Sequence, residues 1–211
     1  MSKKHQEASG IEIIESPEAL AGQISKAESF FRKNQKLLLG VGGAVLFVLL
    51  AFAAYRTYLS GQEEKAQAAL ANAVFDFEAD SLQRALNGAG GNEGFLSIAA
   101  NYSGTDAANL AHFYSGVIFM KQAKFDEAIE HLSKFSSSDL IVQARAKALL
   151  GDAYMEKNQP AEAISQYKKA ADYKSNPFFT PVYLMKLGIA QEAAKLPKDA
   201  LATYKRIVED Y

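Results

Sequence analysis

The chain has 211 residues, with 23 Lys and Arg against 24 Asp and Glu and no cysteine. A net charge of −1 gives no electrostatic case for nucleic acid or for a strongly acidic partner. The cysteine count excludes disulfides and thiolate metal sites, and the length leaves room for one anchor and one domain of ordinary size.

Residues 1–15 are polar and mixed in charge, and are expected to form a disordered tail. Ser16-Pro17-Glu18 reads as a helix start, with Ser as cap, Pro at the first helical position and Glu in the first turn. Leu20, Ile24, Ala27 and Phe31 follow at helical spacing. Residues 16–36 are therefore read as an amphipathic juxtamembrane helix. It either lies in the headgroup plane or continues toward the bilayer.

Leu37–Tyr55 then holds nineteen residues without a charge. A bilayer core of about 30 Å needs roughly 20 apolar residues in a helix, so residues 37–59 are predicted to be one transmembrane helix in contact with lipid. A signal peptide is the weaker reading, because the stretch begins behind a long polar tail and ends on the bulky Tyr55-Arg56-Thr57-Tyr58. Gly40-Val41-Gly42-Gly43-Ala44-Val45 loosely imitates a dinucleotide fingerprint, but Val45 takes the last glycine place and no βαβ pattern surrounds it. Gly40, Gly43 and Ala44 could instead let another membrane helix approach closely. Lys26, Arg32, Lys33 and Lys36 precede the span, whereas Arg56 and Lys65 after it are offset by Glu63 and Glu64. This bias puts the N-terminus in the cytoplasm and the residues beyond about 60 outside it.

Residues 60–104 read as a helical linker and the first helices of the exported domain. Ala66, Leu70, Ala73, Val74 and Phe77 form a stripe over Gln62 to about Glu78, and Ser81–Leu86 and Gly94–Tyr102 are short helix candidates. The glycines of Asn87–Asn92 mark a loop, and Thr105 or Asp106 can cap the next helix.

From 105 to 211 the chain repeats itself. Gly116, Gly151 and Gly188 are followed twelve residues on by Ala128, Ala163 and Ala200, and four further by Leu132, Tyr167 and Tyr204. This is the tetratricopeptide spacing, a helical hairpin of about 34 residues whose small residues mark the helix crossing. The repeats are read as about 109–142, 144–177 and 181–211, with Asp126, Ala161 and Asp199 opening the second helices. The pattern is imperfect: Ser115 stands where Leu is usual, and Gln191 where an aromatic is usual. The chain stops at Tyr211 inside or just after the last helix. Because a solenoid normally ends in a polar cap, the expectation is either a longer chain or a partner over that end. The fold class is thus all-α, a single transmembrane helix followed by an α-solenoid of about three repeats.

No nucleophile–base pair, metal-ligand cluster or phosphate loop stands out, so no enzyme, cofactor, metal or small-molecule substrate is expected. His5, His112 and His131 are scattered, and read as surface or helix-packing residues. Asp126-Glu127 and Glu209-Asp210 read as solvated helix ends. Function is expected in a surface. The first helices of stacked hairpins line the concave side, which assigns Leu110, Phe113, Val117 and Met120 to it in the first repeat. Arg145, Ala148, Asp152 and Met155 follow in the second, and Val182, Met185 and Ile189 in the third. Three methionines on one face suit varied apolar clients, and the competing reading is that these residues pack as core against the Gln62–Glu78 helix.

A charged tail carrying Phe30-Phe31-Arg32-Lys33-Asn34-Gln35-Lys36, one span closed by Arg56-Thr57-Tyr58, an Ala-rich helix and a small repeat domain follow in order. So does Gly94-Phe95…Tyr102…Ala108-Asn109-Leu110-Ala111 at the entry to the first repeat. From about Glu28 to Tyr211 this resembles the bacterial ancillary SecYEG translocon subunit family (YfgM-like). The resemblance implies an inner-membrane protein with a periplasmic repeat domain, acting beside the SecYEG translocon on nascent secreted polypeptides or with periplasmic chaperones. The Lys/Asn clamp of repeat proteins that hold acidic chaperone tails is unmatched, since Phe113 and Val117 take those places. The alternative is an envelope scaffold that links an inner-membrane complex to a periplasmic or outer-membrane assembly without handling clients.

Overall fold

The computed structural model describes residues 17–211, with side chains from residue 21 onward. The tail at 1–15, the Ser16 cap and the Leu20 side chain lie outside the described residues. The chain divides after Thr57 into two compact units.

Helix α1 runs from Pro17 to Glu78 without a break. Residues 17–36 are helical and join the apolar stretch in this one helix. From Ala21 onward α1 contains an 18-residue window of mean hydropathy 2.6, none of it buried, which makes it long and apolar enough to cross a membrane. Leu37, Val41, Leu46, Phe47, Leu50 and Phe52 are all exposed. The glycine-rich stretch at 40–45 is helical throughout, so it offers no strand-to-helix turn for a phosphate. A Cβ added at Gly40 or Gly43 would meet nothing within 4 Å, leaving these positions open to a neighbour.

The second unit starts at Tyr58, and the end of α1 contributes to its core. Ala66 and Ala73 are buried. Leu70, Val74 and Phe77 pack on a cluster that includes Phe95, Ile98, Ala111, Ile118 and Phe119. The Phe77 and Phe95 rings lie 5.1 and 4.9 Å from that of Tyr114. Helix α2 (Leu82–Asn87) and α3 (Phe95–Asn101) follow. Between them the expected loop is a minimal antiparallel hairpin, β1 (Gly88–Ala89) on β2 (Asn92–Glu93). Gly90 and Gly91 sit at φ of 60° and 87°, the two left-handed positions that a tight hairpin turn requires.

Three helical hairpins complete the unit: α4 (Asp106–Lys121) with α5 (Phe125–Lys134), α6 (Leu140–Glu156) with α7 (Pro160–Asp172), and α8 (Thr180–Ala193) with α9 (Pro197–Asp210). The second helices begin one or two residues ahead of Asp126, Ala161 and Asp199. In α7 and α9 a proline takes the first turn, where its missing N–H costs nothing. The repeat glycines mark the crossings. A Cβ at Gly116 would fall 2.5 Å from Leu132 Cγ, one at Gly151 would fall 2.5 Å from Tyr167 Cε1, and one at Gly188 would strike the Tyr204 ring. Ala128, Ala163 and Ala200 are buried at the same junctions. Seven residues after each glycine, Ala123, Asn158 and Lys195 turn the chain at φ of 56°, 55° and 60°. The amide after each of them donates back across the helix end, as Lys124 N does to Phe119 O.

One long-range contact fixes the entry to the first hairpin. Thr105 caps α4 through its hydroxyl, which accepts from Ala108 N. Glu63, far earlier in the sequence, accepts from Asp106 N at 2.6 Å and from Ala107 N at 3.2 Å. A carboxylate here satisfies two orphan amides and meets the positive end of the helix dipole. Glu63→Gln is expected to destabilise the protein by about 1 kcal/mol, read as a lower denaturant midpoint at unchanged m-value.

Candidate protein-docking surface

The residues assigned to one face fall into two environments. Leu110, Phe113, Val117 and Met120 of α4 and Met155 of α6 are half-buried. Met120 packs on the cluster that holds Phe77 and Tyr114. Phe113 lies 5.1 Å from the Phe135 ring. Met155 packs beside Tyr154 in a second cluster built from Ala148, Tyr167, Leu184 and Leu187. In contrast, Val182, Met185 and Ile189 of α8 are exposed. Phe178 and Phe179, which the expected groove omitted, extend the same exposed row toward the start of α8.

The turn before α8 holds these rings out by design of its polar atoms. Asn176 Oδ1 accepts from Phe178 N at 3.1 Å and Phe179 N at 2.9 Å. Thr180 Oγ1, on a buried residue, accepts from Asn176 N at 2.8 Å. With its backbone bonds satisfied locally, the segment can leave an aromatic side chain in water without unravelling. Pro177 and Pro181 flanking a Phe pair were the sequence signal for it.

Between the second and third hairpins lies a polar junction. Asp152 Oδ1 accepts from Tyr167 Oη at 2.6 Å and from Lys186 Nζ at 2.6 Å. Burial first, and then the bond to Asp152, push the Tyr167 phenol well above its ordinary value, so it stays a donor. Asp152 thus faces α8 and is not free for a ligand.

The histidines are less scattered than their spacing implied. His112 of α4 and His131 of α5 meet with Nδ1 atoms 3.1 Å apart. Both line a cleft of about 480 Å³ with Leu96, Glu130 and Lys134. The antiparallel register set at Gly116 and Leu132 was the signal that could have paired them. Among the described residues no group of three or more His, Asp or Glu could hold a metal ion; His5 lies outside them. Burial, then His131 and Lys134, push the His112 imidazole down to about 4, with Glu130 acting the other way. Burial likewise lowers His131. A depressed folded value means that the unfolded chain takes up the proton first. The stabilisation is complete above about pH 6.5, the unfolded value, and is lost as the pH falls toward 4. Because the pair is only half enclosed, the expected loss is on the order of 1 kcal/mol. It is measured by denaturation between pH 7 and 4.5, and His112→Gln flattens the slope.

Residues 115–178 and 148–211 match the tetratricopeptide repeat family, in two overlapping windows. Comparisons with curated proteins and with solved structures gave no match. The matched windows cover α5 to α9 and the C-terminal part of α4 from Ser115 onward. The C-terminal part of this all-α chain is an array of tetratricopeptide repeats, an architecture that mediates protein–protein interaction, behind a helix able to span a membrane.

Proposed function

We propose that the protein is a single-pass inner-membrane protein whose periplasmic repeat domain serves as an accessory subunit of the Sec translocon. The span is residues 37–59, the N-terminus is cytoplasmic, and residues 105–211 meet emerging polypeptides or periplasmic chaperones. The observation that carries the reading is the uncovered apolar row of Val182, Met185 and Ile189 on α8 with Phe178 in the turn before it. Contiguous apolar surface left in water on an interaction fold is a contact site for apolar protein segments. Lys26, Arg32, Lys33 and Lys36 before the span favour the stated orientation. Leu110, Phe113, Val117, Met120 and Met155 extend the client face with their half-exposed edges, and Gly40, Gly43 and Ala44 offer the span a helix contact.

The test is a photo-crosslinker in place of Met185 in the full chain, followed by purification in mild detergent. Channel subunits that co-purify, together with adducts to many exported polypeptides, support the reading. One fixed adduct from a non-secretory complex points to the envelope scaffold instead. A reporter fused after Tyr211 that proves cytosolic rejects both.

A further inference from the structure

One side of α1 is cationic where the proposed span begins. Between residues 21 and 36 the charged residues are Lys26, Glu28, Arg32, Lys33 and Lys36, all exposed. Glu28 lies 3.1 Å from Arg32, whereas Lys33 and Lys36 have no acidic partner among the described residues. In a helix of 3.6 residues per turn, Arg32, Lys33 and Lys36 fall within about 100° of the circumference. Phe31, Asn34 and Gln35, on the other side, are uncharged. Like charges three and four residues apart on a helix repel, and an anion set among them relieves the repulsion.

What lies against these side chains follows from their depth. With the hydrocarbon starting at Leu37, Lys36, Lys33 and Arg32 stand about 1.5, 6 and 7.5 Å beyond it. The headgroup layer is roughly 5–7 Å deep on each side of a bilayer, so all three cations reach the level of the lipid phosphates. Lys26, about 17 Å out, stands clear of that layer. On the bilayer side of the cluster, Gly40 and Gly43 fall within the same arc, and a Cβ added at either would meet nothing within 4 Å. The face under the cations is thus a strip without side chains down to Phe47, where an acyl chain lies close to the backbone. We propose that Arg32, Lys33 and Lys36 bind the headgroup of one anionic phospholipid, with its chain laid over Gly40 and Gly43. Two unpaired lysines and an arginine shared with Glu28 suit a headgroup of two phosphates. This rests on the membrane span of the proposed function, and on neither its orientation nor its Sec partner. Unlike a helix contact at the same glycines, it needs no second protein.

The probes are cardiolipin and phosphatidylcholine, added in equal amounts to the purified full chain in detergent micelles, with bound lipid counted by native mass spectrometry. One cardiolipin per chain is expected, favoured at least about tenfold over phosphatidylcholine. Lys33→Gln with Lys36→Gln should remove the preference, and Lys26→Gln should leave it intact. The deciding variant keeps the charge and the depth but changes the side, adding Asn34→Lys and Gln35→Lys to Lys33→Gln and Lys36→Gln. Loss of the preference in it supports the site. A preference that survives the transfer reports only the pull of net charge and overturns the site, as does a parent protein without preference. The unfolding midpoint of the repeat domain should not move in any of these variants, which separates lost binding from failed folding. Release of the intact parent protein from membranes at alkaline pH removes the span, and the site with it.

Discussion

Gly151→Val is expected to destabilise the repeat domain by about 3 kcal/mol, the largest effect of any single substitution considered. The new Cβ would fall 2.5 Å from Tyr167 Cε1, and the ring cannot swing aside. Its hydroxyl is held by Asp152 at 2.6 Å, and Tyr167 is buried against Ala163, Ala170 and Leu184. Helices α6 and α7 must then separate, which strips apolar contacts from both and leaves the phenol–carboxylate bond strained. Gly151→Ala meets the same ring but regains about 1 kcal/mol of helix propensity, so its net cost is smaller. Gly188 provides the contrast. Its neighbour Tyr204 is half-exposed, so Gly188→Ala should be milder although the closest approach is as tight. Denaturant unfolding of the three variants checks the order. A Gly151→Val protein of parental stability would show that the crossing is slack.

Met120→Glu is expected to destabilise by about 2 kcal/mol, while Met185→Glu stays within about 0.5 kcal/mol of the parent. Both methionines occupy the face assigned to partners, but they differ in what surrounds them. Met120 packs on the cluster of Phe77, Phe95 and Tyr114, so a carboxylate there loses both its packing and its water. Met185 is 47% exposed and would keep its charge hydrated. Thermal or denaturant midpoints of the two variants decide the point. Equal losses would mean that the α8 row is core, and equal tolerance would mean that α4 is as open as α8.

The helical hairpins were legible because their signal is local and periodic. Gly116, Gly151 and Gly188 recur with Ala128, Ala163 and Ala200 at one offset, and close helix crossing leaves few residue types possible at either place. The stripe Ala66, Leu70, Ala73, Val74 and Phe77 was readable for the same reason. What escaped depends on distant partners. Nothing near Glu63 says that its carboxylate will cap α4, and His112 and His131 look unrelated until two helices fold back. The docking face shows the limit most clearly. Leu110, Phe113 and Val117 share register places with Val182, Met185 and Ile189, so periodicity treats them alike. Burial separates them, because it depends on which elements lie alongside. The Asn87–Asn92 glycines announced a break, but the two-residue pairing of Gly88 with Glu93 and Ala89 with Asn92 carries too little pattern to be read in advance.

Burial is uneven between the helices of the array. Helix α6 hides seven residues, Gln143, Ala144, Ala146, Ala148, Leu150, Gly151 and Ala153, whereas in α9 Ala200 is the one buried side chain. Backbone amides are protected in proportion to what must come apart before they meet water. Deuterium should therefore enter α9 early and α6 last. The Gly188–Tyr204 crossing will be made and broken many times during one lifetime of the Gly151–Tyr167 crossing. Pliancy in the last hairpin is thus concentrated in α9, while α8, with seven residues hidden, holds the exposed apolar row on a firm base.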